Sequence, residues 1–485
     1  MTHCLGVFVV SMAAACGEPT APAAPQELKL AAPAPRAASI RLRLVRFAPG
    51  SGEVLVSSGI PLPPGLLRER DLETVALRLG NEPPPMHVEA LRGRHADGSL
   101  RSILIQFRYD IRPGPGFEVL LEMGPGVVRT GPDPERVAPE YAPRNPLPEA
   151  VALPAEPSYL IATGIVGETT PAPSRFSSAW EQNFRTFGDP KWQTFQGEYG
   201  TPALDNNKIT TYNYYDRALI YFAWWARTGD PEYWKRAVYY YLPYRDGYMK
   251  PNRYAAQPHN IHVEGMEVHY LLTGDLESWR GAGLAAEYLA SIWMQRIGDT
   301  NHPYTESRIQ ARTMDGMLTA ARLGITARNY DELARKALTT ILSTQQDDGS
   351  YRFASVCNTH YNYMTGLVHE VFMKYYAYFE ADPRILESMK RSLDFMWNTQ
   401  WLAGAGAFKY ASADCPGKAG PSPAADLNLL IANGFAWYAR ATGNDLYRAR
   451  GDQVFRQGVA KAWLVGDKQF NENYRASYHY EAYRR

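Results

Sequence analysis

Residues 259–275 read His-Asn-Ile-His-Val-Glu-Gly-Met-Glu-Val-His-Tyr-Leu-Leu-Thr-Gly-Asp, a stretch that predicts one helix with a polar beginning. Gly274 is a natural helix end, and Asp275 is a natural N-cap for the helix that follows. His262 and His269 are seven residues apart and therefore share one side of the helix. A core helix does not need this many titratable groups, so we interpret the stretch as cleft-facing. Hydrogen-bonded structural histidines are the alternative.

The same pattern of a helix stop followed by a new start recurs along the chain from residue 177 onward. The pattern occurs at Thr228-Gly-Asp230 and Thr442-Gly-Asn444 as it does at Thr273-Gly-Asp275: a glycine ends one helix and the next residue caps the following helix. It divides the chain into helical hairpins: 211–227 with 231–243, 261–273 with 276–296, 306–323 with 329–344, 361–379 with 383–399, and 426–442 with 444–463. About five or six consecutive αα-hairpins of this period predict an (α/α)-toroid. A solenoid is the structural alternative.

Each predicted inner helix from the second hairpin onward carries a glycine at a matching place. The four are Gly265, Gly316, Gly366 and Gly434. Glycine inside a helix costs about 1 kcal/mol relative to alanine. We therefore predict close helix contacts at all four. The Tyr-rich segment 468–480 is a candidate for closing the ring, and we assign it no chemistry of its own.

The region before the hairpins has a different texture. Segments 40–47, 102–109 and 117–122 alternate apolar and polar residues between Gly and Pro turns, which predicts short strands. We expect an antiparallel β-sandwich over residues 39–130, a Pro-rich connector over 131–176 and the toroid catalytic domain over 177–485. The expected fold class is thus a multidomain α+β protein.

The amino-terminal residues predict export. Residues 1–16 contain a short apolar run that ends in small residues and Cys16, similar to a bacterial lipobox. Residues 17–38 are rich in Ala and Pro and predict an extended tether. We expect a cell-envelope lipoprotein of the outer membrane or cell surface, lipidated at Cys16, with a freely secreted protein as the alternative. After processing, only Cys357 and Cys415 join Cys16, and they predict a disulfide or two inert thiols.

Two motifs in the β region carry a resemblance. Gly59-Ile-Pro-Leu-Pro-Pro-Gly65 and Asp97-Gly-Ser-Leu-Arg101 resemble the amino-terminal β-domain of the exo-acting rhamnogalacturonan lyase-like family. His95 and Ser102 stand where that family commonly has aromatic residues. The resemblance covers roughly the first third of the mature chain. It implies a type of domain and carries no catalytic residues.

Composition narrows the substrate class. A net charge of +1 gives no reason to expect nucleic-acid binding. The chain has neither a Gly-rich phosphate loop between a strand and a helix nor a G-x-S-x-G nucleophile elbow. The 32 Tyr and 11 Trp suit packing between helices and also make platforms for sugar rings. Carbohydrate is therefore the leading substrate class.

Polar residues collect just before the aligned glycines, at the end of the ring where the inner helices begin. Burying them away from water would cost about 1–3 kcal/mol for each unpaired group, whereas a wet cleft removes that cost. The candidate catalytic residues are His360, Tyr361, Tyr363, Tyr215, Asn260 and His262. The candidate substrate-binding residues are His259, Glu264, Arg308, Arg312, Asn362 and Trp224.

This set of residue types suits β-elimination of a uronic acid, in which the carboxylate must be neutralised before a base removes the C5 proton. The toroid region resembles, more loosely, the α/α-toroid polysaccharide lyases, where an Asn/His/Tyr/Arg group typically does this. Our hypothesis makes His360 or Tyr215 the base and a Tyr of segment 361–363 the acid. Asn260 with Arg308 or Arg312 neutralises the carboxylate. We expect an acidic polysaccharide as partner, contact with a membrane only through the lipid anchor, and no cofactor or metal.

Two other functions remain open. A glycoside hydrolase on the same scaffold needs two carboxylates about 5–10 Å apart, and its candidates are Asp216, Glu264, Asp315 and Asp348. A non-catalytic glycan-binding lipoprotein would use the same aromatic-rich ring and give no product.

Overall fold

The computed structural model describes residues 38–80, 83–112, 114, 117–129, 133–296, 306–352 and 357–485. The predicted export signal, Cys16 and nearly all of the predicted tether lie outside these residues. The described part of the chain is a mixed α+β structure with one large sheet followed by many helices. None of the described helices combines the length and the apolar character needed to cross a membrane.

Seven strands form a single hydrogen-bonded sheet. They are β1 (Ala38–Arg46), β2 (Glu53–Pro61), β3 (Val75–Arg78), β4 (His87–Ala90), β5 (Ser102–Asp110), β6 (Phe117–Met123) and β7 (Ala150–Pro154). Their order across the sheet is β3-β6-β1-β7-β2-β5-β4. All neighbours run antiparallel except β2 and β7, which pair parallel through Val56 and Ala150. The expected β-sandwich is therefore not shown, since one sheet contains all seven strands.

Strand β7 lies within the segment that the sequence predicts as a surface connector. All five of its residues are buried at the centre of the sheet. Its sequence, Ala-Val-Ala-Leu-Pro, is apolar on both faces and so lacks the alternation that marks the other strands. The prolines around this strand led to the prediction of a connector where the structure has a central strand.

Fifteen α-helices follow strand β7 in the described part of the chain, and the hairpin prediction agrees with them to within a few residues. They are α1 (Pro157–Ala162), α2 (Ser178–Glu198), α3 (Asn206–Asn213), α4 (Arg217–Thr228), α5 (Pro231–Leu242), α6 (Val263–Thr273), α7 (Leu276–Arg296), α8 (Ser307–Arg322), α9 (Tyr330–Ser343), α10 (Asn362–Tyr378), α11 (Pro383–Phe395), α12 (Asn428–Thr442), α13 (Asp445–Lys461), α14 (Asp467–Tyr474) and α15 (Tyr480–Tyr483), with two short strands β8 (Trp401–Leu402) and β9 (Ala407–Phe408) after α11. The first predicted inner helix, 211–227, is in fact two helices, because the chain breaks between α3 and α4.

Alternate helices form a closed inner ring. Each of α4, α6, α8, α10 and α12 contacts the next in this order, α12 contacts α14, and α14 contacts α4. The side chain of Arg217 in α4 donates to Asn471 of α14 at 2.7 Å. Helices α2, α5, α7, α9, α11 and α13 pack outside the ring. The solenoid alternative is therefore wrong, and the carboxy-terminal segment closes the ring.

The aligned glycines mark close contacts, as predicted. A side-chain carbon on Gly265 would lie 2.5 Å from Asp216, and one on Gly434 would lie 2.7 Å from His369 of the neighbouring inner helix. One on Gly316 would lie 2.8 Å from Leu289 of the outer helix α7. Gly366 lies against the backbone of Leu430 in α12. Packing explains the helical glycines.

The ring has two different ends. We call the end at which the inner helices begin the mouth; it carries long segments at 199–216, 243–262 and 396–427, the parts 344–352 and 357–361 of another, and a short one at 462–466. We call the other end the back; there the inner helices turn into outer ones through short connections at 229–230, 274–275, 323–329, 379–382 and 443–444. Long segments give the mouth room for a site.

The sheet packs on α6 near the back of the ring. The hydroxyl of Ser102 donates to the backbone oxygen of Leu271 at 2.5 Å. Arg101 pairs with Glu267 of α6, which is buried and also pairs with Arg322 of α8. Arg101 ends the Asp97–Arg101 motif, so that motif joins the sheet to the ring.

The two resembling motifs also contact one another. The backbone N–H of Gly65 donates to the hydroxyl of Ser99 at 2.8 Å, and that of Leu62 donates to the oxygen of Arg101 at 2.9 Å. The two motifs therefore stabilise each other in the sheet region that packs against the ring.

Candidate active site

A strained turn opens the mouth between α3 and α4. Tyr215 and Asp216 have φ angles of 63° and 61°, in the left-handed region that non-glycine residues rarely adopt. The Asp216 carboxylate stabilises the turn by accepting from the backbone N–H of Leu219 at 3.2 Å and of Gly265 at 2.9 Å. Such strain concentrates at functional sites. Here it holds Tyr215 beside Tyr214, with ring centroids 4.9 Å apart.

Three cations surround these two tyrosines. Arg308 donates to the Tyr214 hydroxyl at 3.2 Å, and the Lys468 ammonium lies 4.9 Å from the centre of the Tyr214 ring. The Arg312 guanidinium lies 5.8 Å from the centre of the Tyr215 ring. Arg308 is paired with Glu306, whereas the nearest carboxylate to Arg312 lies 4.0 Å away. Lys468 lies 3.3 Å from Glu472, so all three cations have carboxylate partners. The potential is positive only at places that lie nearer to the cations than to these carboxylates.

His259 reports this positive potential. Its ring lies 6.1 Å from that of Tyr214. Burial first, and then Arg308, Arg312 and Lys468, together lower the pKa of His259 to about 4. A carboxylate of a bound sugar would experience the opposite effect at this place, because the same three cations attract it.

Tyr215 keeps its proton. Burial raises the pKa of its hydroxyl well above 10, and the opposing influence of Arg308 and Arg312 is smaller. The hypothesis that Tyr215 acts as a base is therefore wrong, since it required a lowered pKa. A protonated phenol in this position is instead a proton donor.

His262 is the residue best placed to accept a proton. It is 3% exposed, and neither ring nitrogen has a hydrogen-bond partner among the described residues. Burial holds its pKa well below 6.5, and Arg312 and Arg475 act in the same direction. The ring is thus neutral at neutral pH. A buried imidazole with two unused nitrogens is costly to keep unless something binds it.

The backbone around His262 is held in place by Tyr244. The Tyr244 hydroxyl donates to the backbone oxygen of Asn260 at 2.7 Å and accepts from the backbone N–H of His262 at 2.9 Å. The side-chain oxygen of Asn260 is buried without a hydrogen-bond partner in the part of the chain that is described. Asn260 and His262 therefore both present buried polar atoms without a partner among the described residues.

His360 is a structural residue in this fold. It is completely buried, its Nδ1 accepts from the backbone N–H of Tyr351 at 3.0 Å, and its Nε2 lies 3.2 Å from the Asn362 oxygen. The Asn362 amide in turn donates to the backbone oxygen of Lys409 at 2.7 Å. Both ring nitrogens are in use, so the structure contradicts a role for His360 as the base. Asn362 likewise holds two loops together and has no part in the mouth chemistry.

Tyr361 and Tyr363 lie at the mouth beside Tyr410, which the sequence did not single out. The Tyr363 and Tyr410 hydroxyls are 3.3 Å apart, and their ring centroids 5.3 Å. Burial raises the pKa of Tyr363 well above 10, and Tyr215 contributes to this shift while Arg308 opposes it. Tyr363 therefore lies within electrostatic range of both, and it is protonated.

A buried cluster of charges crosses the ring beyond the mouth. The Lys374 ammonium lies 2.8 Å from Glu264 and 2.9 Å from Asp315 on neighbouring inner helices. It also lies 2.8 Å from Glu370 on its own helix. Arg475 pairs with Glu264 and lies 3.0 Å from Glu370. Glu264, predicted to bind substrate, is thus part of an internal ion-pair network.

The side of this cluster that faces the back leaves little space. A cavity of about 30 Å³ is lined there by residues that include Glu267, Arg322 and His479. Such a volume holds a water molecule or two. A sugar ring does not fit in that volume.

The carboxylates required by the hydrolase alternative all have other partners. Glu264 and Asp315 share Lys374, and Asp216 caps α4 while bonding to α6. Asp348 lies in a turn, where it accepts from the backbone and hydroxyl of Ser350. Burial does raise the pKa of Asp216 to about 6, despite the nearby Arg475 and two backbone hydrogen bonds.

Trp224 is a core residue. It is fully buried, and its ring stacks on Phe184 with centroids 3.5 Å apart. It has no surface to offer a sugar, so its assignment as a binding residue is wrong. The helix α4 that carries it is buried almost all round, and nothing in the sequence separated its packing aromatics from platform aromatics.

Sequence reasoning missed Glu472 and Arg475, both in or next to α14. Burial raises the pKa of Glu472 to about 6, although Lys468 lies 3.3 Å from it. Glu472 also raises the pKa of Tyr215. The segment that closes the ring thus contributes charges to its centre, because a ring closed by α14 must place that helix beside α4.

Cys357 and Cys415 form a disulfide with Cα atoms 5.6 Å apart. The first of the two alternatives that the sequence left open is therefore correct. The bond joins the segment before α10 to the segment before α12, both at the mouth.

Comparison with known proteins gives no family. No protein-family model matches the chain, and no curated protein sequence matches it. An unsaturated glucuronyl hydrolase specific for heparin is 10% identical, with 63% of this chain and 96% of that chain covered and a TM-score of 0.46. The unsaturated glucuronyl hydrolase of Bacillus sp. GL1 is 12% identical, with 58% and 82% covered and a TM-score of 0.42. A polysaccharide lyase is 11% identical, with 88% and 59% covered and a TM-score of 0.36.

Proposed function

We propose that this chain is an exported lyase that cleaves a uronic-acid-containing polysaccharide by β-elimination at the mouth. The proposal rests on one arrangement: a neutral His262 with two unused nitrogens, in the same site as Arg312 and the protonated Tyr215. These are an acceptor for a proton, a partner for a carboxylate and a donor of a proton. The sequence hypothesis made His360 or Tyr215 the base; the unused ring nitrogens of His262 support assigning that role to His262 instead.

The reaction follows from those three groups. Arg312, with Arg308 and Lys468 nearby, binds the uronate carboxylate and stabilises the enolate that develops on it. His262 takes the C5 proton. The C5–H electron pair becomes the C4–C5 double bond as the C4–O bond breaks, and Tyr215 gives its proton to the departing oxygen. The two products are an unsaturated uronide and a new chain end.

The motif resemblance of residues 59–65 and 97–101 to exo-acting rhamnogalacturonan lyase-like proteins supports a pectic polysaccharide as the first substrate to test. Export and lipidation at Cys16 belong to the same proposal and rest on residues 1–16. Polysaccharides lie outside the cell envelope, where an exported enzyme would meet them.

The deciding experiment treats the purified protein with pectic, glycosaminoglycan, alginate and arabinogalactan-type polysaccharides. Ultraviolet absorbance and reducing ends are followed together. A lyase raises both, whereas a hydrolase raises reducing ends alone. A glycan-binding protein raises neither and shows saturable binding by calorimetry. Reducing ends without ultraviolet absorbance on every substrate would overturn β-elimination.

A further inference from the structure

The two mouth segments that flank the tyrosines are joined by more than their disulfide. Tyr361 and Ala411 form an isolated antiparallel bridge. The backbone N–H of Ser412 donates to the oxygen of His360 at 2.8 Å, and its hydroxyl accepts from the backbone N–H of His360 at 3.0 Å. With the Asn362 bond to Lys409, these contacts align segments 360–362 and 409–412 side by side. The two segments belong to different hairpins.

The alignment brings three tyrosine rings together. Tyr410 is half-buried, and its ring centroid lies 5.3 Å from that of Tyr363 and 5.8 Å from that of Tyr361. The Tyr361 hydroxyl is buried and has no hydrogen-bond partner among the residues described. Tyr361 and Tyr363 are only 3% and 7% exposed, so their edge and face contacts hold the half-exposed ring of Tyr410 in a fixed position. The C–H face of a sugar ring and its hydroxyls match this ring and its polar tip.

Tyr361 and Tyr363 lie at the start of α10, the inner helix that packs directly against α8. Glu306, which pairs with Arg308, raises the pKa of Tyr361, and Arg308 opposes the rise at Tyr363. Both charged groups are therefore within electrostatic range of the aromatic wall. A sugar bound on the wall would have its neighbour in the part of the mouth that holds Arg308.

We propose that Tyr361, Tyr363 and Tyr410 form a sugar-stacking wall in which the buried Tyr361 and Tyr363 support Tyr410 and Tyr410 contacts the sugar next to the uronate. The Cys357–Cys415 disulfide positions Tyr410 in this wall. The disulfide lies a few residues from each side of the joined segments. It closes the loop between two hairpins 58 residues apart in sequence and so removes much of the freedom of segment 409–415. The oxidised protein alone then has a complete wall. This deepens the proposed function and depends on it only for the identity of the sugar.

Kinetics on the polysaccharide that the panel identifies test the wall. Tyr410→Ala should raise KM roughly tenfold and change kcat by less than about twofold, since the lost contact is to a sugar that does not react. Tyr410→Phe keeps the ring and should lose less than about threefold. The double variant Cys357→Ser/Cys415→Ser should resemble Tyr410→Ala. Adding Tyr410→Ala to this double variant should raise KM little further, because Tyr410 is already out of position when the disulfide is absent.

Tyr376→Ala is the matched control. Tyr376 is half-buried at the other end of α10, packed on Trp437 with ring centroids 5.2 Å apart. It should leave KM unchanged. An unchanged KM in Tyr410→Ala, measured with the disulfide intact and the thermal midpoint preserved, overturns the wall. An unchanged KM in the disulfide-free variant overturns the positioning role.

A binding measurement tests the sugar-stacking wall independently of the proposed lyase activity. If no polysaccharide is cleaved, calorimetry with a trisaccharide of galacturonic acid is run on the oxidised protein and on Tyr410→Ala. Binding that Tyr410→Ala weakens supports the wall and counts against β-elimination. No binding by the oxidised protein overturns both proposals.

Discussion

The carboxylate of Asp216 accepts a hydrogen bond from the backbone N–H of Gly265 at 2.9 Å. It joins the start of α4 to the first turn of α6, next to the strained Tyr215. Gly265 leaves the space in which that carboxylate lies. The glycine that the sequence marks as a repeat position thus supports the geometry of the mouth.

Gly265→Ala should therefore damage both stability and activity. The new carbon would lie 2.5 Å from the Asp216 oxygen, so the carboxylate has to move. We expect a loss of about 1–3 kcal/mol in the free energy of unfolding and a lower kcat, measured by urea denaturation and the ultraviolet assay. Gly197→Ala in α2 is the control: nothing lies within 4 Å of that position, and replacing an exposed helical glycine should be neutral or stabilising.

His262 and His360 should separate catalysis from stability. His262→Gln removes a ring that bonds to nothing described, so the unfolding free energy should change little while kcat falls roughly 10²–10⁴-fold. His360→Ala leaves the Tyr351 N–H and the Asn362 oxygen without a partner and should cost about 1–3 kcal/mol. If the His262→Gln variant kept the full wild-type kcat, His262 would not be the base.

Lys374→Met should destabilise the fold in a pH-dependent manner. It leaves Glu264, Asp315 and Glu370 buried with less positive charge, a change that typically costs about 3–5 kcal/mol. In the wild type, burial would raise the pKa of Glu370, but Arg475 and Lys374 hold it at about 2. In the variant the carboxylates' folded pKa values rise above their unfolded ones. The penalty is therefore full at neutral pH and fades as the pH falls toward ~4.

Thermal unfolding between pH 4 and 8 measures this effect. Lys390→Met is the control, because Lys390 is mostly exposed and pairs only with Asp394 at 2.8 Å. Its effect should stay below about 1 kcal/mol at every pH. A Lys374→Met penalty that does not change with pH would show that the cluster is not held by its charges.

The activity should persist into mildly acidic pH. His262 stays neutral well below pH 6.5, so its protonation should not reduce kcat/KM until the pH is well under that value. Glu472 titrates near pH 6 beside Tyr215. If the pH profile of kcat/KM falls near pH 6 in the wild type and this fall is absent in the Glu472→Gln variant, the fall is caused by titration of the Glu472 carboxyl. A limb at pH 6.5 or above that remains in this variant would contradict the assignment of His262.

The helical ring could be predicted because its signals are local. Gly274 and Asp275 end one helix and begin the next through backbone chemistry that the two residues carry themselves. The break at Tyr215 and Asp216 could not be predicted, because non-glycine residues adopt left-handed angles there only through contacts with α6. Strand β7 was missed for a similar reason: its apolar sequence fits a central strand only once its two neighbours are known.

The candidate site was predicted in part. Asn260 and His262 lie at the mouth with unused polar atoms, whereas His360 and Trp224 are structural. Sequence spacing places Asn260, His262 and His360 at comparable positions before an aligned glycine and does not reveal which side-chain atoms find a partner. Glu472 and Arg475 come from a segment some 200 residues beyond His262, and only the closed ring brings them to the centre.

Closure by α14 also has a consequence for how the protein assembles. Arg217 meets Asn471 across 254 residues of chain, so five hairpins can stack on each other before the first and last helices find one another. Contacts of such long range slow folding and leave apolar edges exposed while it proceeds. During synthesis, the incomplete arc of hairpins is therefore the species most in need of a chaperone.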